Sequence, residues 1–202
     1  MMLVFFKAGL VFLSVPKTGS TAYHAALRDH ADVVISAPPE LKHAPVYRFN
    51  RFVLPMFKAV IAKDLDIMAV VSEPVRWLRS WYRYRQRPDL AGHANSTEGM
   101  SFDSFVEAYL QSEPPPFARV GRQSRFLGAG EHGSPATHLF RYDDQEGLNA
   151  FLTDRLGVSI ALARKNVSPI VDASLTEENL ARLQHDCAAD FELYNRIRPF
   201  SM

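Results

Sequence analysis

The sequence predicts an α/β fold: a three-layer sandwich in which helices cover both faces of a central, mainly parallel sheet. Short apolar runs alternate along the chain with segments of helical composition, the pattern that builds such sandwiches. The apolar runs also lack the polar alternation of a strand with one face in water, so both sheet faces are expected to be buried. Without repeats, low-complexity tracts or a linker, residues 1–202 should form a single domain.

Composition and charge limit the class of protein. The chain is 47% hydrophobic and 22% charged, which is ordinary for a globular protein. A net charge of +1 argues against a protein whose whole surface binds nucleic acid. We interpret the single cysteine, Cys187, as a small residue packed on a helix, with no sign of an oxidising compartment. The apolar N-terminus is too short for a membrane span and lacks the features of a signal peptide, so we expect a cytoplasmic protein.

The first structural unit is predicted to be a strand, a loop and a helix. Residues 11–15 (VFLSV) suit a buried strand, PKTGST follows as the loop, and AYHAALRDH has helical composition. The segment DVVISAPP predicts a second short strand that Pro38 and Pro39 end. After it, RFNRFVLPMFKAVIAKD predicts a helix interrupted at Pro55.

The rest of the chain continues the alternation. DIMAVVS predicts a buried strand, with Ser72 as the N-cap of the helix EPVRWLRSWYRYRQR. Residues 88–101 form a turn-rich loop, and FDSFVEAYLQ is helical. ATHLFRYDD contains a strand and QEGLNAFLTDRLGV a helix with Gly157 as C-cap. A last helix, LTEENLARLQHDCAADFELYNRI, closes the fold.

The PKTGST loop has the groups that an anion site needs. Free amides point out of a helix N-terminus, Gly19 permits close approach, and Lys17 adds a positive charge. Lys17 precedes the glycine, whereas the lysine of a Walker A loop follows its second glycine. The sequence has no clear Asp after a strand to bind magnesium, so an enzyme that uses magnesium and ATP is disfavoured. The alternative interpretation is a turn without a ligand.

This loop resembles the 5'-phosphosulfate loop of sulfotransferases that use 3'-phosphoadenosine 5'-phosphosulfate (PAPS). Their second signature is a strand that runs into a helix, with an Arg at the strand end and a Ser eight residues later, both binding the 3'-phosphate. VVSEPVRWLRSWYRY stands in that place: Pro74, Ser80 and Tyr82 match, while Ser72 replaces the Arg. HLFRYDD and RKNVSP resemble later family segments, so the resemblance covers residues 11–169.

The resemblance implies the P-loop nucleotide-hydrolase-like sulfotransferase fold and a metal-free reaction. A sulfuryl group would pass from PAPS to a hydroxyl or amine of a small-molecule or carbohydrate acceptor, releasing adenosine 3',5'-bisphosphate. Lys17 would hold the donor and stabilise the leaving oxygen. The residues expected to bind the donor are Pro16, Lys17, Thr18, Gly19, Ser20, Thr21, Arg76, Ser80, Arg164, Asn166 and Ser168.

Arg76 is expected to supply the charge that Ser72 lacks, with Arg164 or Lys165 as helpers. It precedes Ser80 by four residues, so both lie on one helix face. The alternative is that Arg76 belongs to a solvated basic face. We assign three other arginines of this helix to such a face: Arg79, Arg85 and Arg87.

The acceptor hydroxyl must lose its proton to a general base. His43, in ELKHAP, is the candidate, because it follows the second strand on a loop that could return to the donor. Glu40 is the alternative base, and a surface histidine beside Lys42 is the alternative role for His43. The acceptor is expected under the 88–101 loop, which has the length of a lid, and under the EPPP segment at 113–116.

Two other functions stay open at this point. One is a nucleotide-dependent kinase on a related phosphate-loop fold, against which the missing Walker A order argues. The other is a non-catalytic nucleotide- or anion-binding domain of the same fold. Ser72 favours that second alternative, and the intact PKTGST loop with Ser80 opposes it.

Overall fold

A computed structural model describes residues 1–61, 64–129, 135–160 and 173–199. Its centre is a five-stranded sheet in the order β3-β1-β2-β4-β5. The strands are β1 (Met2–Phe5), β2 (Leu10–Leu13), β3 (Val33–Ile35), β4 (Asp66–Val71) and β5 (His138–Arg141). The prediction of an α/β chain is confirmed.

The sheet is mixed, with a parallel centre. β2 pairs in parallel with β4, and β4 with β5. β1 is antiparallel to both β2 and β3, so among the described strands it alone runs against the other four. The sequence did not indicate this reversal. A tight turn makes it, in which the Gly9 amide donates to the Phe6 carbonyl at 3.1 Å and Gly9 has a φ of 61°.

Helices connect the strands. They are α1 (Ser20–Leu27), α2 (Pro39–Lys42), α3 (Val46–Arg48), α4 (Leu54–Val60), α5 (Pro74–Arg85), α6 (Phe102–Tyr109), α7 (Gln123–Leu127), α8 (Gln145–Leu156), α9 (Glu177–Asp186) and α10 (Ala188–Arg196). Short 3₁₀ turns lie at Arg28–His30, Pro88–Leu90 and Pro116–Ala118. In the described part of the chain, no helix combines the length and the apolar character that crossing a membrane requires.

Helices cover both faces of the sheet. Because successive residues of a strand point to opposite faces, β1 and β2 supply two separate cores. One contains Met2, Val4, Val11 and Leu13 with side chains of the α3–α4 segment, α7 and α10. The other contains Leu3, Phe5, Leu10 and Phe12 with side chains of α1 and α8. A third buried cluster joins α5, α6 and α9 and includes no strand residue.

Three predicted helix boundaries are corrected. α3 runs into α4 through a π-helical turn at Phe49–Val53, just before Pro55, so the proline shifts the hydrogen-bond pattern without ending the helix. Glu73, and not Ser72, caps α5, because its carboxylate accepts from the amides of Val75 and Arg76 at 3.0 and 2.7 Å.

The predicted last helix is two helices. α9 ends and α10 begins at Cys187, which is buried and has a thiol pKa raised to about 11 by burial. A buried thiol with a raised pKa is a packed side chain and not a reactive nucleophile. Gly157 caps α8 in the left-handed conformation, as predicted.

Candidate functional site

A cleft of about 1130 Å³ opens at the carboxyl ends of β2, β4 and β5. Ligands of open α/β sheets bind at this edge. Residues from the segment after β2, from α1, α2, α5 and α10, and from the turn after β5 line its walls. The basic residues in the wall are Lys17, Lys42, Arg76, Arg79, Arg83 and Arg87, against Glu73 and Asp143 as acids. The cleft therefore attracts anions, although the whole chain is nearly neutral.

The PKTGST loop is held in a defined shape. Lys17 and Gly19 both have positive φ, at 66° and 69°. A lysine rarely adopts this conformation, and such strain clusters at functional sites. Two hydrogen bonds fix the turn: the Thr18 hydroxyl donates to the Val15 carbonyl at 2.9 Å, and Trp77 Nε1 donates to the Pro16 carbonyl at 2.8 Å. Thr18 thus points into the fold, away from the cleft wall where donor binding was predicted.

Position 19 requires a glycine because the ring of Tyr142 lies close to its backbone. A Cβ at position 19 would lie 2.3 Å from Cε2 of the Tyr142 ring. Gly19 is also the N-cap of α1, and no side chain in the described part of the chain caps this helix. The first turn of α1 contains no acidic residue. Ser20 and Thr21 therefore line the cleft at the positive end of a helix, where an anion is stabilised.

Lys17 is a half-buried cation without an acidic partner among the described residues. Burial, and then the nearby charge of Arg87, lower its pKa to about 8. Its Nζ lies 4.3 Å from the centre of the Tyr84 ring, and the Arg87 guanidinium lies 4.6 Å from the same centre. Two cations share one ring, so a bound anion would relieve their repulsion.

Arg76 and Ser80 line the same cleft from α5, as the sequence suggested. The Arg76 guanidinium lies 4.5 Å from the centre of the Tyr142 ring, beside the PKTGST loop. Ser72 also reaches the cleft wall, but it is buried and its backbone is bonded on both sides by Gln123, at 2.9 and 2.8 Å. The end of β4 therefore contributes no positive charge to the cleft wall, whereas Arg76 of α5 contributes one.

The interpretation of Arg79, Arg85 and Arg87 as a solvated face is wrong. Arg85 is 8% exposed, donates to the Pro116 carbonyl at 2.5 Å and packs 5.4 Å from the centre of Trp81. Arg79 and Arg87 are half-buried and line the cleft. The sequence could not show this, because the α5–α6 packing that buries the helix is a tertiary contact.

His43 lies in the cleft wall, at the C-terminus of α2. Its Nδ1 is 2.9 Å from the Ser14 carbonyl oxygen. That acceptor requires a proton on Nδ1, which leaves Nε2 as a hydrogen-bond acceptor. Burial lowers the pKa of His43 below its ordinary value, although the Ser14 carbonyl acts in the opposite direction. Glu40, the alternative base, is exposed and lies outside the cleft wall.

Ser14 connects His43 to a second histidine that the sequence did not single out. His24 of α1 is 1% exposed, and its Nε2 lies 2.9 Å from the Ser14 hydroxyl oxygen. Burial lowers the pKa of His24 to about 2, so its ring is neutral. Ser14, the residue directly after β2, thus anchors both rings, through its carbonyl to His43 and through its hydroxyl to His24.

Sequence reasoning also missed Tyr142, Tyr194 and Asp143 of the cleft wall. Tyr84, Tyr142 and Tyr194 line the cleft, and the Tyr194 hydroxyl donates to the Asp143 carboxylate at 2.8 Å. Two signals were present: aromatic residues alternate with arginines in α5, and Tyr142 directly follows β5. A cation packed on such a ring is held in place without a counter-charge.

Arg164, Lys165, Asn166 and Ser168 lie outside the described residues. Residues 88–101 contribute nothing to the cleft wall. Thr97 and Met100 of this loop bond to Tyr82 at 2.9 and 2.7 Å, on the face of α5 that packs against Phe102 of α6. Neither residues 88–101 nor residues 113–116 line this cleft, so the placement of the acceptor beneath them stays a prediction.

Within residues 1–61, 64–129, 135–160 and 173–199, no three His, Cys, Asp or Glu side chains are grouped to hold a metal ion. A scan against protein-family models and a search of the curated proteins found no match to this chain.

Proposed function

We propose that this chain is a sulfotransferase that moves a sulfuryl group from PAPS to a hydroxyl or amine of an acceptor. The observation behind the proposal is the half-buried Lys17 next to Gly19 at the start of α1, in one cleft with Arg76 and Ser80. A cytoplasmic location is part of the proposal, and the single buried thiol of Cys187 fits it.

The cleft suits a donor with two separate anionic groups. Lys17 and the amides of α1 form one anion site, which the 5'-phosphosulfate would occupy. Arg76 and Ser80 of α5 offer a second, for the 3'-phosphate. Small-molecule sites commonly have volumes of about 300–1,000 Å³. At about 1130 Å³ the cleft has room for a nucleotide donor together with an acceptor.

The reaction breaks the bond between sulfur and the bridging oxygen of the donor's 5'-phosphate. Negative charge grows on that oxygen as it leaves with adenosine 3',5'-bisphosphate. Lys17 would stabilise the leaving oxygen, because its partial burial strengthens the interaction of its charge with a nearby anion. The acceptor oxygen forms the new bond to sulfur and gives up its proton.

His43 would take that proton on Nε2. The hydrogen bond from Nδ1 to Ser14 fixes the tautomer and the orientation of the ring. Because the pKa of His43 is lowered, the ring is neutral and ready to accept a proton at neutral pH. The structural support is stronger for His43 than for Glu40, which lies outside the cleft wall.

Calorimetric titration with adenosine 3',5'-bisphosphate tests the donor site. We expect micromolar binding by the wild type and a loss of at least about tenfold in Lys17→Ala, since a charge-assisted contact contributes about 1.5–3 kcal/mol. Lys58→Ala is the matched control, because it removes the same charge from an exposed position outside the cleft. Adenosine 5'-monophosphate should bind more weakly, since it lacks the 3'-phosphate.

The same titration separates the two alternatives. Binding of ATP with magnesium and not of the bisphosphate would favour a kinase. Bisphosphate binding without transfer of labelled sulfate to any of a panel of phenols, sugars and amines would favour a non-catalytic binding domain. Ser72 is the observation behind that second alternative, because β4 ends without the expected cation.

A further inference from the structure

The exposed apolar side chains of this protein are concentrated in one stretch. The large hydrophobic residues that the described chain leaves exposed are Leu41 (37%), Tyr47 (59%), Phe52 (62%), Met56 (57%) and Val60 (82%). All five fall within residues 41–60, although the described residues span nearly the whole chain. Scattered single exposures need no explanation, but such concentration marks an interaction site.

The helical geometry explains how this surface arises. Across α3, the π-helical turn and α4, the residues Val46, Phe49, Val53 and Phe57 face the core and are buried. Phe52, Met56 and Val60 follow each other at intervals of four, so they form an exposed stripe beside the buried one. The apolar arc of this segment is therefore wider than the part that the core covers, which folding of this chain alone does not require.

The charges of the same stretch are mainly basic. Residues 41–61 contain four basic residues, Lys42, Arg48, Arg51 and Lys58, and no Asp or Glu, and Asp64 beyond them pairs with Lys58 at 2.9 Å. The whole chain has a net charge of only +1. The Arg51 guanidinium lies 5.3 Å from the centre of the Phe52 ring, so an apolar group and a cation are presented side by side.

We propose that this α2–α4 surface, made of Leu41, Tyr47, Phe52, Met56 and Val60 with Arg48, Arg51 and Lys58, docks the protein on an anionic lipid surface. An interfacial helix inserts aromatic and aliphatic side chains at the boundary of the acyl chains while its cations contact anionic headgroups. A second copy of the chain fits less well, because a two-fold interface would bring the same cations face to face.

This inference is independent of the donor site, and it concerns the surface outside the cleft wall. None of the eight described residues that make up this surface lines the cleft. Docking on lipid would hold the protein at the membrane without a membrane-spanning helix.

Flotation of the full chain with vesicles tests the proposal. We expect binding to vesicles of phosphatidylcholine with phosphatidylglycerol, and little binding to phosphatidylcholine alone. Phe52→Ser/Met56→Ser should lower the bound fraction at least about fivefold, because the apolar anchor is lost. Arg51→Glu should lower it as well, whereas Arg28→Glu should not. Arg28 is the matched control, since it is equally basic, exposed, and belongs to the opposite side of the sheet.

Three results would overturn the proposal. The first is equal vesicle binding by the wild type and Phe52→Ser/Met56→Ser. The second is binding that Lys17→Ala or an excess of adenosine 3',5'-bisphosphate abolishes, which would place the headgroup in the cleft. The third is a dimer in light scattering without vesicles that becomes a monomer in the double variant. An unchanged melting temperature shows that the variants are folded, as expected for exposed positions.

Discussion

Lys17 in the cleft and Lys58 on the α2–α4 surface have opposite environments. Lys17 is half-buried, lies against the Tyr84 ring and has a pKa lowered to about 8. Lys58 has a side chain that is 53% exposed and pairs with Asp64 at 2.9 Å. The first charge is partly shielded from water by protein, and the second is largely exposed to water.

This difference separates two ways of binding anions. A partly desolvated charge acts strongly over a few ångströms, so it can select one phosphate or sulfuryl group. An exposed charge is screened by salt and contributes little by itself, so it acts only as one of several along a surface. Under the two proposals, the same residue type would therefore support a discrete site in the cleft and an extended, weakly attractive surface on α2–α4.

The largest expected effect comes from removing the Lys17 side chain, with removal of Lys58 as the comparison. Lys17→Ala should lower kcat/KM for sulfuryl transfer from PAPS by about 100- to 1,000-fold, as loss of a group that stabilises developing charge does. Lys58→Ala should change it less than about twofold, because an exposed pair contributes little. Steady-state rates with labelled PAPS measure both. Equal losses in the two variants would erase the distinction between cleft and surface.

His43 tests whether the cleft also supplies a base. His43→Gln should lower kcat by about 100-fold, because proton transfer to a positioned side chain contributes that much. Binding of adenosine 3',5'-bisphosphate should be unchanged, since the residue is assigned to the acceptor. His185→Gln, at a side chain that is 89% exposed, is the matched control.

The pH profile of the wild type adds an independent check on His43. The pKa of His43 is lowered below the ordinary 6.5, so the neutral base persists as the pH falls to 6.5. Activity that depends on this base should be lost only below pH 6.5. A rate that already declines as the pH is lowered from 7.5 toward 6.5 would contradict the assignment. So would a His43→Gln variant that weakens donor binding and turnover alike.

The α/β class and the helix that follows the PKTGST loop could be predicted because local patterns determine them. Unbroken apolar runs predicted β2 and β4, and the PKTGST loop after β2 predicted the helix N-terminus in the cleft. The reversal of β1 was missed, although Gly9 between two short apolar runs is compatible with the tight turn that makes it. Periodicity placed Arg76 and Ser80 on one face of α5, but the burial of Arg85 depends on α6 and on residues near 116.

The residues that shape the cleft come from distant parts of the chain, which explains why several were missed. Tyr142 meets Gly19 across more than 120 positions, and its ring packs where a Cβ would otherwise fit. Ser14 joins His24 and His43 through two different atoms. Neither arrangement leaves a signal in a short window of sequence, because both arise only when β2, α1, α2 and β5 come together at one sheet edge.

Gly19 and Gly121 allow the cleft to be compared with a position outside it. Both have positive φ, but a Cβ at Gly121 meets nothing within 4 Å, whereas one at Gly19 meets Tyr142 at 2.3 Å. Gly121→Ala should cost about 1–2 kcal/mol of unfolding free energy from backbone strain alone. Gly19→Ala should cost more and also weaken bisphosphate binding about tenfold.

Denaturant unfolding and calorimetry measure the two effects of these glycine variants. Equal unfolding free energies for Gly19→Ala and Gly121→Ala would show that Tyr142 moves aside without cost. The close approach would then have no part in shaping the loop, and the structural argument for Gly19 would be reduced to its φ.

The smallest expected effect is the pH dependence of donor binding. The pKa of Lys17 is lowered from 10.5 to about 8, so the free protein loses this proton as pH rises through 8. An anion needs the charged form, so bisphosphate binding should weaken roughly fourfold between about pH 7 and about pH 8.5. Above pH 8 binding should also take up a proton, which calorimetry detects as a heat that depends on the buffer.

Lys17→Arg sharpens this test, because a guanidinium keeps its charge through the whole range. Its binding should be flat where the wild type declines. Lys58→Arg should leave the wild-type decline in place, since Lys58 is exposed and paired with Asp64. A wild type whose affinity stays constant to pH 9, without proton uptake, would mean that Lys17 is not the cation that meets the donor. The contrast between the buried and the exposed lysine would then no longer explain which anions each region binds.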